Sequence, residues 1–161
     1  MDNAAYEQAH SVILTLTTVG RTLATAESCT GGLLGACLTD IPGASAVYLG
    51  GVISYAYAVK EALLGVDPAL LREKGAVCSE VACQMAQGVR RRLGADFGIG
   101  ITGNAGPGTD PSNPNVGEIY VALADGLQTV CKKLELHGSR EENRHAACTA
   151  AMQLLLEALA E

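Results

Sequence analysis

The sequence predicts an α/β fold: a three-layer α/β/α sandwich around a mixed, mostly parallel sheet, formed as a single domain over residues 1–161. Short apolar, β-rich runs alternate with amphipathic stretches of helical period through the first two thirds of the chain. A hairpin pattern appears only late. The third observation is an abundance of small residues, including 19 glycines, as expected where helices pack closely on a sheet.

The elements follow in order. Residues 4–19 predict a helix, with Ala5, Ala9, Val12, Ile13 and Leu16 on one face and Gly20 as its stop. A buried strand over about 22–26 leads through Glu27-Ser28-Cys29-Thr30-Gly31-Gly32 into a helix ending near Leu38. Asp40-Ile41-Pro42-Gly43 is a turn, and residues 46–55 are β-rich with a bulge or bend at Gly50-Gly51. A short helix over 58–64 is closed by Gly65, and a second starts at Asp67-Pro68, with proline in the first helical position. Ser79 opens a longer helix to Leu93, followed by a strand over 97–102 and a Gly/Pro-rich loop over 103–115. Residues 116–124 and 128–136 make a hairpin around Asp125-Gly126, and a helix over 139–160 ends the pattern.

Composition narrows the function classes. A net charge of -6 argues against broad nucleic-acid binding, which depends on neutralising phosphates. Arg90-Arg91-Arg92 is the one basic run, and at a helix end it complements the dipole and faces solvent. No segment has the roughly 18 apolar residues needed to span a bilayer, and the start of the chain does not resemble a signal peptide, so neither membrane nor export is expected. Six cysteines with apolar neighbours and no C-x-x-C spacing read as reduced, mostly buried thiols of a cytoplasmic protein. Three scattered histidines give no zinc-ligand spacing, so neither a metal nor a cofactor is expected.

Ligands of open α/β sheets bind beyond the carboxyl ends of the strands, which directs attention to the loops. The hexapeptide Glu27 to Gly32 is a strand-to-helix turn whose backbone N–H groups and helix dipole suit an anion. A plain N-cap by Ser28 or Thr30, with glycines for close packing, explains the same residues. Lys60 is one of four lysines and the only one close after an apolar strand, near the hydroxyls of Ser54, Tyr55 and Tyr57. Desolvated there, it could act as a base toward a serine; on a solvated helix it would do nothing. Thr102-Gly103-Asn104-Ala105-Gly106-Pro107-Gly108 resembles a phosphate cradle without the Gly-Lys-Ser/Thr ending of a nucleoside-triphosphate loop. Gly138-Ser139-Arg140 is a helix start where an arginine and a dipole could meet a phosphate, or where Arg140 forms a surface ion pair.

Taken together, these segments resemble the C-terminal domain family of the competence/damage-inducible protein CinA, which includes nicotinamide mononucleotide deamidases. The resemblance rests on residues 24–32, Pro42-Gly43-Ala44-Ser45, Ser54-Tyr55 with Lys60, Gly65-Val66, Gly75-Ala76-Val77, Thr102-Gly103 with Ala105-Gly106-Pro107, and Val116-Gly117. It extends over about residues 7–158. What it implies is metal-independent hydrolysis of the carboxamide of nicotinamide mononucleotide to nicotinic acid mononucleotide and ammonia, a step of pyridine nucleotide (NAD) recycling. By position, Ser45 would be the nucleophile and Lys60 its base, while Ser28, Tyr55 and Thr102 would orient the amide or relay protons. Thr30, Gly31, Gly43, Ala44 and Gly103 would line the substrate, and Arg140 would hold its 5′-phosphate. Many relatives carry a further N-terminal domain, so the implication concerns the amidohydrolase part alone, and the loop 108–115 inherits no role.

The resemblance also implies a homodimer or higher homo-oligomer. Two other readings stay open beside it. One is a non-catalytic nucleotide-binding or regulatory domain, because a fold does not guarantee turnover. The other makes Cys29 the nucleophile of a thiol amidase, activated by the helix N-terminus.

Overall fold

A computed structural model describes all of residues 1–161. Five strands form one sheet in the order β2-β1-β3-β4-β5, with β1 at Leu23–Glu27, β2 at Tyr48–Ile53, β3 at Phe97–Gly103, β4 at Glu118–Ala124 and β5 at Thr129–Glu135. β1 runs parallel to both β2 and β3, while β4 is antiparallel to β3 and to β5. Four strands therefore point one way and only β4 is reversed. The carboxyl ends of β1, β2 and β3 meet along one rim of the sheet, at Glu27, Ile53 and Gly103.

Helices cover both faces. Helices α1 (Asn3–Val19), α2 (Leu33–Thr39) and α6 (Arg140–Leu159) lie on one side, joined to the sheet by a core that includes Val12, Leu16, Leu34, Leu38, Ile99, Ile101, Val121, Met152 and Leu155. Across the sheet, Ala24 and Ala26 meet Leu64, Leu71, Val81, Met85 and Val89 of α3 (Tyr57–Leu64), α4 (Pro68–Lys74) and α5 (Ser79–Leu93). Strand β1 is buried along its whole length, as a central strand flanked by two helix layers must be.

The small residues read from the sequence serve the close approach of α5 to β3. A Cβ added at Gly100 would lie 2.4 Å from the Ala82 carbonyl oxygen, and one at Gly98 would lie 2.2 Å from that of Ala86. Glycine lets the helix settle directly on the strand. Of the bulge or bend expected at Gly50-Gly51, the structure has the bulge: Leu23 pairs with Tyr48 but Ala24 pairs with Gly50, so Leu49 is the extra residue. One element has no counterpart in the sequence reading, a single 3₁₀ turn at Ala44–Ala46 just before β2.

Candidate active site

The rim where β1, β2 and β3 end carries a cavity of about 370 Å³. Its floor comes from Ser28, Cys29, Lys60 and Thr102, and its walls from Tyr55, Tyr57, the loop from Gly103 to Pro111, and Arg140. Each side chain is delivered by an element boundary. Ser28 follows β1, and its N–H donates to Ile101 O at 2.9 Å, which continues the ladder to β3. Lys60 lies in the first turns of α3, one short connection after β2.

Lys60 has no exposed surface, and its ammonium donates to three oxygens: Ser28 Oγ at 2.9 Å, Ser54 O at 2.6 Å and Tyr55 O at 3.1 Å. Burial lowers its pKa to about 8, against smaller opposing effects of Cys29 and Asp110. No carboxylate pairs with it. This set of partners suits both protonation states: the ammonium gives one proton to each oxygen, whereas the neutral amine keeps the two carbonyls and turns its lone pair to the Ser28 hydroxyl. Beside Ser28, the N–H of Cys29 donates to no oxygen in the chain, and Cys29 lines the cavity. In serine hydrolases generally, the N–H directly after the reactive serine is one of the donors offered to an oxyanion.

The turn is held from behind. Both oxygens of buried Glu27 are engaged by the start of α2, with Leu34 N–H donating at 2.9 Å and Gly35 N–H at 3.0 Å. The expectation that this helix end would receive an anion from outside is thereby corrected. The chain fills the place with its own carboxylate, which satisfies the dipole and the orphan donors at once. Ser28 and Thr30 are accordingly not the cap, and Thr30 Oγ1 is buried without a partner. Arg144, which sequence reasoning passed over, donates from Nε to Cys29 O at 3.1 Å and from Nη2 to Thr30 O at 2.9 Å. Its position one helical turn after Arg140 was the available signal.

Arg140 reaches the cavity mouth, donating from Nη1 to Gly106 O at 2.9 Å and from Nη2 to the Tyr55 hydroxyl at 3.2 Å. Ser139 caps α6 in a reciprocal box with Glu142. Thr102, also fully buried, donates to Ala76 O at 2.8 Å, and Gly103 continues the floor.

Other residues fall elsewhere. Ser45 is exposed and lines a separate shallow depression with Gly43, Ala44, Tyr48 and Leu49. It precedes β2, whereas the cavity lies beyond the end of that strand. Six residues at about 3.3 Å each put roughly 20 Å of sheet between them. The pairing of Ser45 with Lys60 is therefore corrected: within one chain the lysine meets Ser28. Gly43 and Ala44 leave the site with Ser45, and Thr30 and Gly31 lie behind the cavity rather than on its wall. The thiolate reading of Cys29 fails as well, because burial pushes that thiol up to about 12, far from the activated range.

The loop from Asn104 to Gly117, whose first residues read as a possible phosphate cradle and whose residues 108–115 were given no role, forms a wall of the site. Asn104 is buried and organises it, donating to Asn113 O and Asn115 O at 3.1 Å each and accepting the Asp110 N–H at 2.8 Å. Buried Glu118 holds the far side through Asn113 and Asn115. Nowhere do three His, Cys, Asp or Glu side chains converge as a metal site would need, and all six cysteines are free.

Comparison with known proteins bears on this geometry. Residues 5–159 match the family model described as CinA C-terminal domain. The chain belongs to that family. A CinA-like protein of Frankia casuarinae is 49% identical over 139 residues, covering 86% of this chain and 32% of the relative. One from Myxococcus xanthus is 41% identical over 160 residues, covering 99% of this chain and 38% of the relative. The chain thus spans about a third of the length of the curated relatives it matches. The crystal structure of competence/damage inducible protein CihA from Agrobacterium tumefaciens superposes with a TM-score of 0.95 at 34% identity, covering all of this chain and 98% of that one. The competence damage-inducible protein A from Klebsiella pneumoniae gives 0.94 at 31% identity, with 98% of each chain covered. The family and its fold are shared along the whole length of those structures.

Proposed function

We propose that this protein hydrolyses the carboxamide of nicotinamide mononucleotide, giving nicotinic acid mononucleotide and ammonia. The observation that carries the reading is the buried Lys60–Ser28 hydrogen bond at 2.9 Å, inside a cavity with Arg140 at its mouth. Ser28 is the nucleophile and Lys60 its base. In the first step Ser28 Oγ bonds to the amide carbon, its proton passes to the neutral Lys60 amine, and the oxyanion forms toward the Cys29 N–H. Collapse of the adduct breaks the C–N bond, with Lys60 returning the proton to the departing ammonia. Water then attacks the acyl-serine, giving one proton to Lys60; collapse breaks the ester C–O bond, Lys60 returns that proton to Ser28 Oγ, and the product acid leaves as the carboxylate with its own proton going to solvent.

Arg140 supplies the charge and planar donors that suit a 5′-phosphate, and Tyr55 and Thr102 shape the space between. A cytoplasmic setting in pyridine nucleotide recycling and a homodimeric assembly belong to the same reading. Free thiols agree with a reducing setting, and no helix is long and apolar enough to cross a membrane. The non-catalytic binding alternative is disfavoured by the lysine's partners, since a phosphate- or base-binding lysine has no need of a serine hydroxyl.

The test is ammonia release by the purified chain from nicotinamide mononucleotide, nicotinamide riboside and nicotinamide in parallel. Turnover should be fastest with the mononucleotide and undetectable with the free base. Activity confined to the free base would overturn the phosphate role of Arg140, and no release from any of the three would remove the hydrolase reading.

A further inference from the structure

Asp110 is the only carboxylate lining the cavity, which otherwise holds the two cations Lys60 and Arg140. It makes no ion pair. Both of its oxygens accept from the Tyr57 hydroxyl at 2.7 Å, and Oδ2 also takes the Ser112 N–H at 3.2 Å and the Ser112 hydroxyl. Tyr57 is fixed in turn by the Ala76 N–H, which donates to its oxygen at 3.2 Å. These donors hold the Asp110 pKa below the usual carboxylate range in spite of partial burial, so the group is ionised at neutral pH. The cavity therefore presents a fixed negative charge, braced by neutral donors and in direct contact with no cation, although it acts on Lys60 across the cavity.

The reaction proposed above leaves that charge unused. The nicotinamide ring of the mononucleotide, however, is a pyridinium: its ring nitrogen bears a positive charge for as long as the glycosidic bond is intact. We propose that Asp110 is the specificity-determining residue that reads this ring charge, selecting N-glycosylated, cationic rings over neutral ones of the same shape. Tyr55 and Tyr57, which also line the cavity, offer aromatic faces of the kind that favour a cation. The inference rests on the hydrolase reading and sharpens it: Arg140 takes the phosphate, Lys60 and Ser28 the carboxamide, and Asp110 the ring between them. It also gives the cavity a ground for refusing free nicotinamide besides the missing phosphate.

The experiment uses two non-hydrolysable competitive inhibitors of ammonia release that share ribose 5′-phosphate. One is 3-acetylpyridine mononucleotide, with a cationic ring; the other is its C-nucleotide counterpart with a neutral 3-acetylphenyl ring. The wild-type chain should prefer the cationic inhibitor by about tenfold or more, as expected for a charge pair at low local dielectric. Asp110→Asn, which keeps the shape and an acceptor for Tyr57, should reduce that preference to about twofold while leaving the neutral inhibitor's constant nearly unchanged. Tyr57→Phe keeps the carboxylate and should keep most of the preference. Equal inhibition of the wild type by both compounds overturns the inference without any variant, and so does a preference that survives in Asp110→Asn. These outcomes are separate from failure of the hydrolase reading, which shows as absence of ammonia release from the mononucleotide by the wild type.

Discussion

Lys60 Nζ lies 2.9 Å from Ser28 Oγ, and its two other hydrogen bonds end on the main-chain carbonyls of Ser54 and Tyr55. The carbonyls can only accept, so they fix two of the nitrogen's directions whatever its charge. The third direction alone changes character on deprotonation.

This predicts the pH dependence. Lysine is a base only when neutral, and burial lowers its pKa to about 8, so kcat/KM for ammonia release should rise with pH through about 8 and then level off. A rate that falls through the same range would mean that the charged form does the work. Lys60→Ala should lose about 10²–10⁴-fold of the rate, the ordinary contribution of a positioned acid or base.

Ser28 and Ser45 are separated by a direct comparison. Ser28→Ala should abolish the acyl intermediate and reduce kcat by at least about a thousandfold, in the range that follows loss of a nucleophile. Ser45→Ala, at the opposite end of β2, should stay within about twofold of the parent, as surface substitutions away from a site usually do. A reversal of the two results in steady-state ammonia assays would return the nucleophile to Ser45.

Two arginines one helical turn apart should fail differently. Arg140 faces the cavity mouth, so Arg140→Ala should raise KM for the mononucleotide about ten- to a hundredfold with a smaller change in kcat, the cost of losing a charge-assisted contact. Arg144 touches the Cys29 and Thr30 carbonyls behind the turn. Arg144→Ala should chiefly lower kcat, by about tenfold or more, because the misplaced group is the turn directly after the nucleophile, which carries the Cys29 N–H. Full kinetic curves for both variants decide the matter.

Glu27→Gln tests the internal cap. The amide can accept from Leu34 or Gly35 through its oxygen but brings a donor to the other position, and the charge facing the helix start is lost. A cost of about 1.5–3 kcal/mol is expected, the usual worth of a hydrogen bond to a charged group. Denaturant titration at neutral pH measures it; an unchanged midpoint would mean the carboxylate is not what holds α2.

The fold was legible because each element announced its ends. Gly20, Gly65 and Gly94 close helices in the left-handed conformation, and Asp67 and Ser139 cap helices as residue type and spacing suggested. Lys60 was legible too, since a rare lysine after an apolar strand has few reasons to be there. Pairing was not. Whether Ser28 or Ser45 meets that lysine depends on strand direction: both serines adjoin strands that run parallel, but one follows its strand and the other precedes it. Local pattern does not record that difference. Asp110 was hidden for another reason, as its place depends on Tyr57, distant in sequence, and on the way Asn104 folds a turn-rich loop whose shape has no local period.

The wall that Asn104 suspends meets the floor beneath it at one anchor, Tyr57, which opens the helix that carries Lys60. Residues 108–112 are held by Asn104, Tyr57 and their own turn, whereas Ser28 and Lys60 are held by β1, β3 and α3. Specificity and chemistry thus have largely separate mountings, joined only through α3. A different loop hung from the same asparagine would present a different ring-facing group to an unaltered nucleophile, so this fold can exchange substrates by grafting five residues without rebuilding the machinery that cleaves them.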